Sequence, residues 1–457
     1  MGLLNMDDKL KEFFSIRPGM REKFEYPGTF DNLAADIANA ASGVETNGLL
    51  QEIIMEKAGR ILAGEVSLPA LKRQLSAFPV MSTADHHALL NYKLLYNSNI
   101  LYGEIVKKLK LPFIVASATG NIPLVNKTYP RGFYFKGQKF NFFTERKSKV
   151  PVFLFHQKLS VDRSQGIKSF ILNYSRELIT VEEEAFLEYL FFEALEIEKA
   201  ARNYEKFSDQ ITFLNYKLWK YYFDKSLRDS VPEMIYFQIN YIVQHALIRE
   251  IEKKDSLISH ILFDPGIRKV FLRNFAGISG AWDETKGTEL FWGISEKRRP
   301  VPLKIDNHSN SLVGGNFSVE IERESLIHAL ETKTIISSLF LDFLIITFME
   351  GYVAVGGFNQ LEYLPQMQRA HIKSLRETGM NDLAERFDSR VTDTFICGMF
   401  PFDFDSGIDL IWDYNSHDGK FNGNLDGGLT QGDLDKMLNR NVKDMIGAAV
   451  EVMLKNT

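Results

Sequence analysis

The sequence predicts an α/β fold built on a parallel sheet, and three observations carry the prediction. FPVMST (78–83) is a short apolar run that opens into the polar loop ADHH. After a helical pattern from about Tyr92 to Leu109, LPFIVASATGN (111–121) repeats the form. Far downstream, the apolar run of GYVAVGGFNQLEYLPQM (351–367) ends in a glycine pair and leads into a helix. Strand, helix and strand at the first spacing make a βαβ unit, whose crossover favours parallel pairing.

The elements follow in order. Residues 1–77 read as an N-terminal helical segment: Thr29 and Asp31 offer N-caps for a helix to about Ala41, and LLQEIIMEKAGRILAGEV repeats apolar residues at helical spacing. Residues 78–180 form the first α/β part, with GFYFKG, FNFF and VPVFLF between Arg131 and Phe155 as short β segments. Residues 181–254 contain no glycine and open on a cluster of acids suited to a helix start, which predicts a long helical insertion, a hairpin or coiled arm. Residues 255–320 form a mixed connecting segment. Residues 321–457 form a second α/β part, with a helix, the GYVAVGG strand, a helix from Leu361, IDLIWDYN, and a terminal helix over 430–455. SSLFLDFLIITFMEG (337–351) is too short to span a membrane and contains Asp342, so it reads as a buried core helix.

Composition narrows the classes of function. With 54 basic and 59 acidic residues among 457, the net charge of −5 leaves no electrostatic footprint for nucleic acid or an anionic membrane. One cysteine, Cys397, excludes a disulfide framework and a cysteine-cluster zinc site. The N-terminus lacks the basic and long apolar regions of a signal peptide, so a cytoplasmic location is expected. GxxxxGK[ST], GxSxG and a strand-borne GxGxxG are all absent.

Candidate chemistry gathers at the ends of the expected strands, where open α/β sheets bind ligands. Asp85, His86 and His87 follow the first strand, with Ser82 and Thr83 before them. Paired imidazoles beside a carboxylate suit general acid–base work, and they could also serve as metal ligands or as hydrogen-bonded surface groups. Asn91 belongs to an amide-rich helix region, where amides either face a ligand or break the helix. The second strand end supplies Ser117, Thr119, Gly120 and Asn121, and its glycine allows a ligand close to backbone N–H groups. Gly356 and Gly357 end the later strand, and Asn359, Gln360 and Tyr363 open a helix whose first N–H groups suit an anion. His308, in the polar turn DNHSN, is a weaker candidate beside a solvated-turn reading.

STADHH (82–87), ASATGN (116–121) and AVGGFNQLEYL (354–364) together resemble the strand-end motifs of the bacillithiol-biosynthesis cysteine-adding enzymes, in order and in spacing. That family carries TGQQ-, ASEDHD- and GGPGEIAYF-type motifs; here His86 and His87 replace the glutamines, and Ala118–Asn121 replace the acids. The resemblance implies a Rossmann-like core with inserted segments, a helical coiled arm, and a nucleotide such as ATP or ADP at the sheet edge. The reading is a biosynthetic ligase or transferase joining an amino- or thiol-bearing metabolite to an acceptor. Its general base would be His86 or His87, oriented by Asp85, and the Gly120 loop and Gly356–Gly357 junction would hold an anionic group. No metal is expected, and a homodimer through the helical insertion is. The alternatives are a metal-dependent hydrolase or lyase using Asp85, His86, His87 and His308, and a metabolite-binding protein without catalysis.

Overall fold

Five short strands pair side by side, all parallel, at the centre of the computed structural model, which describes residues 6–125, 131–278, 280–282 and 286–455. They are β1 (Val80–Ser82), β2 (Phe113–Ala118), β3 (Glu233–Gln238), β4 (Val353–Gly357) and β5 (Phe395–Cys397), in the order β5-β4-β1-β2-β3. The registers place Met81 beside Ala354, Ser82 beside Ala116, and Phe113 to Ala118 beside Glu233 to Gln238. Every residue of β1 and β2 is buried, as expected of parallel strands covered on both faces. The architecture is a mixed α/β fold with helices flanking a parallel sheet.

Helices α1 to α5 (Met6–Ser15, Pro18–Phe24, Phe30–Ala41, Leu49–Ile61 and Leu68–Ala77) precede the sheet. Thr29 and Asn32 close the start of α3 as a capping box, at the position the sequence indicates. Helix α6 (Lys93–Lys108) connects β1 to β2 and is buried from Leu95 to Val106. Its amides neither break it nor reach solvent: Asn97 and Asn99 each donate to the carbonyl four residues back, both at 2.9 Å.

The stretch 181–254 differs from the expected arm. Helix α7 (Phe207–Lys220) is largely buried, and β3 follows it as an edge strand of the central sheet, ahead of α8 (Ile239–Glu252). The helix ends at Lys220, well before Pro232, and EMIYFQ has the aromatic and β-branched side chains that favour a strand over a helix. VPVFLF makes only a lone antiparallel bridge, Pro151 to Pro123, and turns into a 3₁₀ helix at Val152–Leu154, whereas GFYF and QKFN pair as a hairpin. IDLIWDYN lies in a helix (Gly407–Asn415) capped by Ser406, and the last central strand is FIC around Cys397. The run after β4 becomes helical at Phe358, three residues before Leu361, giving α9 (Phe358–Glu377). SSLFLDFLIITFMEG is buried as expected, as an α turn (Leu339–Phe343) that widens into a π turn (Leu344–Met349). One contiguous apolar cluster draws on all five expected segments. Among the described residues, no helix is long and apolar enough to cross a membrane.

Candidate active site at the carboxyl edge of the sheet

β1 and β4 are neighbours, but the chain leaves them toward opposite sides of the sheet, since β2 and β3 lie on one flank and β5 on the other. Such a topological switch point opens a crevice between the two outgoing loops. A cavity of about 510 Å³ lies there, and all three strand-end loops line it. Thr83, Asp85 and His86 come from the β1 loop, Thr119 and Asn121 from the β2 loop, and Gly357, Asn359, Gln360 and Tyr363 from the start of α9.

Pairing between β1 and β2 continues past the strand ends and fixes these loops. Thr119 N donates to Asp85 O (2.8 Å), and His87 N donates to Thr119 O (2.9 Å). That extended backbone sends adjacent side chains to opposite sides, which separates the two imidazoles. His86 lines the cavity. His87 does not: it is buried against Tyr236 with ring centres 5.3 Å apart, and its Nε2 lies 3.0 Å from Ser208 O at the start of α7. Burial pulls its pKa down to about 4, so it stays neutral. As a general base or metal ligand in the cavity, His87 is therefore corrected to a packing residue.

Gly356 makes room for a neighbouring side chain. A Cβ on Gly356 would overlap the Gln360 side chain, which folds back over that residue. Gln360 Nε2 donates to Ala354 O (2.7 Å), and its Oε1 accepts from Thr83 Oγ1 (2.6 Å), so one amide ties α9 to the β1 loop. Gly120 departs from expectation. Its N–H already donates to Asn240 Oδ1 (2.7 Å), and the crowding of Gln238 and Asn240 around its Cα explains the glycine.

Four other predicted site residues lie away from the cavity. Asn91 is buried and binds Tyr134 O and Ile408 N, both at 2.7 Å, so it ties segments together. Ser82 and Ser117 are buried within their strands, and the Oγ of each lacks a hydrogen-bond partner. His308 stands exposed in the turn between two antiparallel strands, where its N–H donates to Asp306 Oδ1 (2.9 Å). A metal set of Asp85, His86, His87 and His308 is thus not assembled, because two of its imidazoles face elsewhere. Among the described residues no group of three His, Cys, Asp or Glu is placed to hold a metal ion.

Two buried acids dominate the electrostatics. Asp85 is fully buried; Oδ2 accepts from Asn99 Nδ2 (2.8 Å), and Oδ1 has no partner. Burial pushes its pKa up to about 7, against the opposing pull of Asn99. Asp342, which also lines the cavity, is raised to about 7 by burial while accepting from Ser337 Oγ at 2.5 Å. Burial raises the Cys397 thiol to about 12, so it is no nucleophile at neutral pH. Arg17 is a cation on the lining, packed over the Phe13 ring at 4.3 Å.

No protein-family model, curated protein or solved structure matches this chain. The site therefore rests on its own geometry. Sequence reasoning missed Asp342, Arg17 and Phe13. For Asp342 a signal was present, since an acid within an apolar helical run is placed there at a cost.

Proposed function

We propose that the protein is a cytoplasmic biosynthetic enzyme, a transferase or ligase that takes a compact amine- or thiol-bearing metabolite into the switch-point cavity and joins it to an acceptor. The observation that carries this reading is the pair of fully buried acids, Asp85 and Asp342, both shifted to about 7 where the strand-end loops converge. A carboxyl group with that pKa is matched to proton transfer at neutral pH. In its ionised form Asp85 removes one proton from the bound ammonium or thiol. The freed lone pair then forms the bond to the acceptor carbon, whose leaving group departs with its bonding electrons. Asp342 supplies a second acceptor for the substrate's N–H groups, and His86 shuttles the proton toward solvent. Thr83, Asn121 and Asn359 supply neutral polar contacts. The strand order is compatible with a Rossmann-like sheet and so with the distant kinship suggested by the strand-end motifs, in which a nucleotide activates the acceptor.

A thermal-shift panel of primary amines, aminothiols, carboxylates and ATP or ADP tests the reading. Amines or aminothiols should raise the melting temperature of the parent protein, and Asp85→Asn should lose that response. Stabilisation by carboxylates alone, or an equal amine response in Asp85→Asn, would exclude the proposed role of Asp85.

A further inference from the structure

A second cavity, of about 590 Å³, lies between α4, α8 and the turn after the helix Arg323–Glu331, and cations line it. Arg60, Lys206, Arg249 and Lys333 contribute to its wall, with Tyr241 and His245 from α8. Lys57 sits just beneath, its Nζ 4.2 Å from the Tyr241 ring centre and 2.6 Å from Asp209 Oδ1. Asp209 also takes Arg60, at 3.3 Å. Arg249 is paired with Glu52 and Glu56. Among the described residues, no carboxylate lies within ion-pair distance of Lys206 or Lys333. Lys333 spends one donor on Phe153 O (3.0 Å), which leaves two of the three on its ammonium group.

The charge balance is uneven. Lys57 and Arg60 share Asp209 and Arg249 is held by Glu52 and Glu56, so Lys206 and Lys333 are the cations of this wall without an ion-pair partner among the described residues. Glu252 and Glu331 also line the cavity but are exposed to solvent, where screening weakens their compensation. Burial together with Lys206, Lys57 and Arg298 lowers Lys333 to about 8, against the opposing pull of Asp209. Lys333 also holds a left-handed backbone (φ 58°), a conformation that glycine adopts at lower cost.

We propose that this cavity binds the phosphoryl group of a small phosphorylated metabolite, with Lys206 and Lys333 donating to its oxygens and Arg60 completing the positive wall. A phosphoryl dianion offers several strong acceptors at once and matches the two ammonium groups that have no ion-pair partner, which a monoanion does not. The inference is independent of the chemistry in the switch-point cavity.

Isothermal titration with pyrophosphate at fixed ionic strength tests it, with citrate and chloride as comparison anions. Pyrophosphate should bind more tightly than citrate, and Lys206→Ala and Lys333→Gly should each weaken it at least tenfold. Lys333→Gly relieves the backbone and removes a half-buried charge, which offsets the lost contacts with Phe153, so it should melt near the parent temperature without anion. If that variant fails to fold, Lys206→Ala decides alone, because the Lys206 side chain is exposed. Pyrophosphate binding no tighter than citrate, or unchanged in the folded variants, overturns the proposal.

Discussion

Replacing Asp85 by Asn should change how stability depends on pH, in a direction set by the burial of its carboxyl. In the folded chain Asp85 keeps its proton to about pH 7, whereas the unfolded chain releases it near the ordinary 3.8. Its contribution to stability is therefore fully present below about pH 4, is lost as pH rises through 7, and stays lost above that. A gap of about 3 units at 1.36 kcal/mol each corresponds to roughly 4 kcal/mol in total. Integrating the two titrations between pH 5 and pH 8 assigns roughly 2–3 kcal/mol of the loss to that interval. Asparagine does not titrate, so the steric cost of the substitution is the same at both pH values and cancels in the double difference. Urea unfolding of parent and Asp85→Asn at pH 5 and pH 8 measures it. The variant should gain roughly 2–3 kcal/mol relative to the parent on going to the higher pH. If the relative stability moves by less than about 0.5 kcal/mol, Asp85 is ionised in the folded chain and the acid–base argument fails.

The two histidines should separate. His86→Ala should melt near the parent temperature while losing about 10²–10⁴-fold in turnover of an amine substrate found in the ligand panel. His87→Ala should cost about 1–3 kcal/mol in urea unfolding, because it removes a buried ring and its bond to Ser208. Gly356→Ala should destabilise by about 1–3 kcal/mol through overlap with Gln360, and most of that cost should vanish in a Gln360→Ala background; additive costs would mean that the strand backbone, not Gln360, demands the glycine.

Much of the sheet was legible because its strands are short apolar runs with polar loops at one end, and β1, β2 and β4 all read that way. β3 was not, because it is embedded between two strongly helical segments and only EMIYFQ marks it. β5 was hidden for a similar reason: FIC is three residues long, and IDLIWDYN beside it carries a stronger apolar signal that belongs to a helix. The polar loops of the cavity could be named from sequence, since strand order follows from a few topological rules. Which way each side chain points could not. His86 and His87 are chemically identical in sequence, and only the Asp85–Thr119 pairing decides which one reaches the cavity. Asp342 was read as part of a core helix because the run around it is apolar, and the cost of burying an acid there was the one sign of a site.

The Gln360 amide has a consequence for the size of anything that enters the cavity. In dinucleotide-binding sheets a bare glycine turn lets a pyrophosphate settle against the strand ends themselves. Here the equivalent ground is filled: Gln360 lies over Gly356, is held from below by Ala354 O, and is gripped from the facing loop by Thr83. The side chain acts as a plug in the crevice. A long cofactor would have to unseat it and break both bonds, whereas a compact metabolite resting on it would meet Asp85 and His86 at the wall. The depth of the cleft is set by one residue, and the glycine beneath is what allows that residue to lie flat.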